Sequence, residues 1–207
     1  MNEHSFIFDE RMRTRDENKE KNIREKALQM IVKEGLNGFS MQKLAKAAGV
    51  SPATIYIYFK DKEDLVLHLI KEAGAKMVDS TLKDFLPSMS FSEGLRVQWI
   101  NRMKYCMKYP DQMHFLEQLR HSPYSDKLTE MMGDRFRTAM GNFVSNAIKR
   151  NELIKVSMEV YWSIAFAPLY NLVKFHMTGK SLGNKKFILT DKIINETFEL
   201  VLKALKP

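Results

Sequence analysis

Within the stretch Phe39–Lys62 the chain gathers Thr54, Tyr56, Tyr58 and a lysine behind the turn Gly49-Val50-Ser51-Pro52. Hydroxyls, exposed amides at a helix start and an ammonium group suit phosphate oxygens and base edges rather than bond-making or bond-breaking. Nothing else in the sequence has catalytic spacing. There are no paired carboxylates at a useful separation, no Ser/His/Asp set and no glycine loop to cradle a phosphate, so an all-helical enzyme is the weakest reading. His114 and His121 stand seven residues apart and, with Glu117, imitate a metal-binding face, but no further ligand cluster completes it. Neither a metal nor a cofactor is expected.

Two short helices must position these groups. Ser40 can N-cap the first, which carries Leu44, Ala45 and Ala48 and ends at Gly49. Ser51 followed by Pro52 reads as an N-cap with proline at the first helical position, opening a second helix that ends near Phe59. Such a pair joined by a tight, glycine-containing turn is a helix-turn-helix. Leu44, Ala45, Ala48, Val50, Ile55 and Phe59 can pack it, and Gly49 can take the left-handed conformation that the turn demands. Thr54, Tyr56 and Tyr58 then face outward; the competing arrangement packs Tyr56 and Tyr58 into a three-helix core. Upstream, Ile23, Ala27, Met30 and Ile31 share one face of a helix starting near Glu17, with Gly35 as its C-cap. Downstream, Asp61 restarts the chain as a longer helix with Leu65, Leu69, Ala73 and Met77 inward.

The run Gly49-Val50-Ser51-x-x-Thr54-Ile55-Tyr56-x-Tyr58-Phe59-Lys60-x-Lys62-Glu63-x-Leu65 resembles the DNA-binding signature of the TetR (tetracycline repressor) family nearly position for position, over roughly Asn22 to Ile70. The resemblance implies that Ser40, Thr54, Tyr58 and Lys62 hold phosphates, and that Ser51, Pro52, Ala53 and Tyr56 face the major groove. Pro52 and Ala53 depart from the longer polar or basic residues often found there. They have no side-chain donors, so readout would lean on thymine methyl contact, Tyr56 and DNA shape. Lys62 also sits at a helix N-terminus, unfavourable for its charge unless a phosphate is near.

After Ile70 the resemblance is one of helix count and length only. Ser90 with Glu93 forms a capping box for a helix carrying Leu95, Trp99, Met103 and Cys106. A short helix with Met113, Leu116 and Leu119 follows, then a long one from about Ser125 to Arg150. Ser157 caps another, rich in aromatics to Phe175, in which Pro168 should introduce a kink. A final amphipathic helix carries Ile194, Phe198, Val201 and Leu205. The expected fold is all-α, about nine helices, without strands or repeats: a mobile tail over 1–16, a helix-turn-helix domain over 17–62 with the connecting helix over 61–84, and a helical ligand-binding and dimerisation domain over 85–207. The tail mixes both signs of charge densely; a basic arm for a DNA minor groove is the alternative to a solvated one.

The 207 residues carry a net charge of +8, which favours polyanions. Its distribution is less telling: residues 1–80 hold 14 Lys and Arg against 13 Asp and Glu. Only locally, from Ser40 to Lys60, do Lys43, Lys46 and Lys60 stand without an acid. Cys106 is the single cysteine, so no intramolecular disulfide or thiolate zinc cluster can form; it reads as a small apolar core residue, with redox or ligand duty as the alternative. No apolar run is long enough to span a bilayer and residues 1–10 lack a signal-peptide pattern, so a cytoplasmic protein without membrane contact is expected.

Trp99, Met103, Phe115, Met140, Trp162 and Phe166 are candidates to line a cavity for an apolar or amphipathic small molecule, or else they are simply core. Tyr170, Val173, Phe198, Val201, Leu202 and Leu205 are candidates for a homodimer seam, because one helix-turn-helix makes too few base contacts for operator affinity and two reading a palindrome suffice. In a monomer the same apolar surface would turn inward. The function expected is a ligand-responsive regulator of transcription, most simply a repressor released from a palindromic operator by its ligand. A DNA-binding or architectural module without a sensor is the alternative.

Overall fold

The computed structural model describes the backbone of residues 3–207 and the side chains of residues 17–128 and 130–207. The tail expected over 1–16 falls outside the described side chains, and its first two residues outside the described backbone. The described residues fold into helices only: α1 (Glu3–Gly38), α2 (Met41–Ala48), α3 (Pro52–Tyr58), α4 (Lys62–Thr81), α5 (Phe91–Lys108), α6 (Pro110–Leu119), α7 (Ser125–Met131), α8 (Gly133–Lys149), α9 (Met158–Ala165), α10 (Ala167–Thr178) and α11 (Asp191–Leu205). An isolated bridge between Lys180 and Lys186 is the one extended pairing among them, and no helix there is long and apolar enough to cross a membrane.

Eleven helices stand where about nine were expected because two long ones are each divided. The stretch Ser125–Arg150 breaks at Gly133, whose φ of 66° is left-handed and ends α7 before α8 begins. The stretch after Ser157 does more than kink. Pro168 sits in the first turn of α10, where its missing N–H costs nothing, and the chain leaves helical geometry at Phe166 (φ −127°, ψ −28°).

The chain divides into two compact units, Met1–Ala73 with Asp111–Met131, and Gly74–Pro110 with Met132–Pro207. The stretch 111–131, grouped by sequence with the second domain, thus clusters with the first unit. That unit is built on Ile23, Ala27 and Ile31 of α1, Leu44 of α2, Ile55 of α3 and Leu65 of α4, each fully buried. Phe115 and Leu119 of α6 are equally buried, and Gln118 donates from Nε2 to the Val32 carbonyl at 3.0 Å.

In the second unit α5 is central. Its start carries the expected capping box, with the Ser90 hydroxyl accepting from the Glu93 N–H and the Glu93 carboxylate from the Ser90 N–H. Trp99 donates from Nε1 to the Ala165 carbonyl at 2.7 Å and meets Phe198 edge-on. Phe143 of α8 is fully buried, lies edge-on to Phe85 at 5.1 Å, near-parallel to Phe91 at 5.9 Å, and against the bare Cα of Gly94.

One expectation requires correction. Val173, Phe198, Val201, Leu202 and Leu205, taken as a dimer seam, are at most 5% exposed within the single chain. With its neighbours α9 and α10, α11 uses this stripe for intrachain packing, so these five side chains, unlike Leu200 on the next stripe, are not surface. Tyr170 alone of the set is half-buried.

Candidate nucleic-acid interface

Each end of α2 and the start of α3 is closed by the residue types placed there. The Ser40 hydroxyl accepts from the Lys43 N–H at 3.3 Å, opening α2. Gly49 (φ 68°, ψ 32°) ends it in the left-handed region; its N–H donates to the Lys46 carbonyl, and that of Val50 to Ala45 at 3.0 Å. Two residues later Ser51 caps α3, its hydroxyl accepting from the Thr54 N–H at 3.1 Å and sharing a hydrogen bond with the Thr54 hydroxyl at 2.9 Å. Asn22 of α1 donates to the Ala48 carbonyl at 3.1 Å, tying the pair back to the first helix. The turn is therefore held at both flanks by hydrogen bonds, which fixes the direction in which α3 points.

Ile55 and Phe59 bury one side of α3. Two residues along a helix is a rotation of about 200°, so the residues between them must face away. Tyr56 is 54% and Ile57 78% exposed, and Ser51, Pro52 and Ala53 are exposed beside them. Thr54 and Tyr58 are half-buried. Tyr56 is thus on the outer face and not in a three-helix core, while Tyr58 lies at the edge, its ring tilted against Phe59 at 6.5 Å. Ile57 was missed from sequence because an isoleucine reads as core; the inward spacing of Ile55 and Phe59 was the signal that it could not be. An exposed isoleucine, an alanine and a tyrosine on one helix face offer methyl and ring contacts with a single hydroxyl.

The lysines divide into two kinds. Lys62 places its ammonium on the carbonyls of Leu36 at 2.7 Å and Phe39 at 2.9 Å and over the Phe39 ring at 5.5 Å. Its charge, unfavourable beside the start of α4, is held by these two backbone carbonyls, which follow the break in α1 at Gly35 (φ 74°, ψ 168°). Lys43 likewise reaches Glu34 and the Gly38 carbonyl, both at 2.9 Å. Lys46 and Lys60 are exposed. At the start of α4 the carboxylates point inward on the backbone: Asp61 accepts from the Asp64 N–H at 2.8 Å and Asp64 from the Lys60 N–H at 3.0 Å.

Lys62→Met should therefore lower the thermal stability of the DNA-free protein. Hydrogen bonds to a charged group contribute about 1.5–3 kcal/mol when buried; at a half-buried site with solvent screening the expected loss is roughly 1–3 kcal/mol. A residue whose only duty was a DNA phosphate would leave the melting curve where it is.

The residues considered for a small-molecule site fall in both units. Phe115 is buried in the first. Trp99, Met140 and Phe166 are buried and Met103 and Trp162 half-buried in the second. Among them runs α5, whose Gln98 and Arg102 are 0% and 2% exposed, an amide and a guanidinium inside the core, of which sequence reading left out the guanidinium. Cys106, one turn on, is buried, and desolvation pushes its thiol up to about 11, so it is neutral and unreactive at physiological pH. His114, Glu117 and His121 are exposed, and no cluster suited to a metal occurs among the described residues.

Residues 23–69 match the family model for bacterial regulatory proteins of the tetR family. An uncharacterised helix-turn-helix-type transcriptional regulator of Haemophilus influenzae is 28% identical over 144 residues, 69% of this chain and 75% of its own length. The crystal structure of a TetR-family transcription regulator from Marinobacter aquaeolei superposes with a TM-score of 0.70 at 28% identity, over 94% of this chain and 98% of that one. A TetR-family regulator from Haemophilus influenzae gives 0.73 at 25% identity, over 92% and 97%.

Proposed function

Since the chain belongs to the tetR family of bacterial regulatory proteins, transcriptional regulators rather than enzymes, we propose that it works in the cytoplasm as a ligand-responsive repressor, a homodimer released from a palindromic operator when a small apolar or amphipathic molecule binds the second unit. The supporting observation is the outward face of α3. Tyr56, Ile57 and Ala53 stand exposed on a seven-residue helix whose start and preceding turn are closed by hydrogen bonds. A helix of that length fits the major groove, with Ser51, Pro52, Ala53, Tyr56 and Ile57 toward the bases. Ser40, Thr54, Tyr58 and the third ammonium proton of Lys62 take flanking phosphates, and Lys46 and Lys60 add the electrostatic share.

Dimerisation uses a stripe of α11 next to the one that packs inside. Ile193, Thr197, Leu200 and Ala204 recur at four- and three-residue steps; Leu200 is 68% exposed and Ala204 is exposed. Spacing of this kind forms a helix–helix seam. Release is a population shift: ligand favours a state with α4 displaced, altering the spacing of the two α3 helices, and a coupling of only about 1–3 kcal/mol suffices.

Sedimentation velocity with and without DNA from upstream of the protein's own gene tests the reading. The wild type is expected to run at twice the chain mass and to bind that fragment as a dimer. Leu200→Glu, an exposed change that leaves the fold intact, is expected to run as a monomer and to bind at least about tenfold more weakly. A wild-type monomer, or binding no tighter than to unrelated DNA, would overturn it.

A further inference from the structure

The core of the second unit contains a cation without an anion. Arg102 of α5 is 2% exposed, and among the described residues no carboxylate lies within ion-pairing distance of it. Its guanidinium donates to the Tyr170 hydroxyl at 3.0 Å and to the Gln98 side-chain carbonyl at 3.1 Å. Gln98 is itself oriented, its amide donating to the Thr81 carbonyl at 2.9 Å. Of the five N–H groups of an arginine this leaves three unused, among them the buried Nε–H. The guanidinium is stacked within 4.2 Å of the centre of the Phe166 ring, 5.0 Å of Trp162 and 5.7 Å of Phe136. Nearby, the Tyr161 hydroxyl is buried and also lacks a partner; burial pushes its ionisation up while the Arg102 charge pulls the other way.

Ring faces offset part of the cost of burying a charge, yet an unpaired guanidinium remains expensive where water cannot reach it. The spot is rich in donors and poor in acceptors. An Nε–H beside an Nη–H is the fork that a carboxylate occupies with two parallel hydrogen bonds. The surrounding rings would hold an apolar body, not a sugar or a polyamine.

We propose that Arg102 is the anchor of a binding site for an organic monocarboxylate with an apolar body, received in the fork with the Tyr161 hydroxyl as a further donor. The proposal rests on the reading of the second unit as the sensing part and names the chemistry sensed. Entry requires side chains to part: Trp162 and Tyr170 touch the guanidinium and are themselves half-buried, so they are the rings to move.

Benzoate and decanoate, each compared with its neutral primary amide, are the probes, with the full-length wild type and Arg102→Met followed by thermal unfolding and titration calorimetry in the absence of DNA. At least one carboxylate is expected to raise the melting temperature of the wild type and its amide not to. Arg102→Met should weaken that carboxylate about ten- to hundredfold yet fold at least as stably as the wild type without ligand, since methionine fills the space and removes the unpaired charge. Equal responses to acid and amide, no response to either acid, or a strongly destabilised Arg102→Met that a conservative Arg102→Lys restores would overturn the site and leave Arg102 a structural residue. The same carboxylate is then added to the protein–DNA complex: release supports the sensing role, while binding without release upholds the site and refutes the sensor.

Discussion

Tyr56→Ala is expected to weaken operator binding by roughly thirtyfold to ten-thousandfold while leaving the melting temperature of the free protein unchanged. A base contact in the major groove contributes about 1–3 kcal/mol, and a symmetric dimer loses it at both half-sites, about 2–6 kcal/mol together. The side chain is 54% exposed and caps nothing, so its removal costs the fold less than about 0.5 kcal/mol. Because the residue is neutral, the slope of log affinity against log salt should stay as in the wild type. Lys46→Ala and Lys60→Ala, each losing a phosphate contact at both half-sites, should each flatten that slope by about two and weaken all DNA sequences alike. Fluorescence anisotropy at several fixed salt concentrations separates the two behaviours. A Tyr56→Ala protein that binds normally would move readout off the outer face of α3.

Phe143→Ala is expected to have the largest effect on stability, a loss of about 3–5 kcal/mol, typical of removing a fully buried phenylalanine whose surroundings cannot collapse. Here collapse is blocked on two sides. Phe85 and Phe91 hold the ring edge and face at 5.1 and 5.9 Å, and Gly94 gives no side chain that could swing into the void. For a chain of this size the midpoint should fall by roughly 6–20 °C in a calorimetric scan. The converse change has the same origin: Gly94→Ala would drive a methyl into the Phe143 ring. If Phe143→Ala left the midpoint within a degree or two, α8 would not be packed on α5 through this ring.

The first unit was legible because its signals are local. Ser40, Gly49, Ser51 and Pro52 each act within four residues of their own position, and the hydrogen bonds they make are those that their types demand. Lys62 was not, because the carbonyls that hold it belong to residues 23 and 26 positions earlier, beyond any periodicity. The same limit applies to α11. Its apolar stripe was evident, but whether that stripe faces the chain's own α9 and α10 or a second copy depends on tertiary packing, and intrachain packing takes it. Arg102 was passed over for a different reason. Leu95, Trp99 and Cys106 were placed on an inner stripe, and the helical steps between Trp99 and Cys106 put position 102 on it as well. An arginine is so rarely buried that its chemistry outweighed its spacing. Where a charged residue falls on the inner face of a long helix, the spacing should decide.

The central claim, that the outer face of α3 meets base edges in the major groove, is tested most directly by placing a photo-crosslinking amino acid at the exposed position Ala53 and mapping the adducts on an operator duplex. Adducts are predicted on major-groove bases at two symmetric places about one helical turn apart, roughly 34 Å, with none from the same group at Leu182, which is exposed in the second unit. Adducts from Leu182 and none from position 53 would contradict the account.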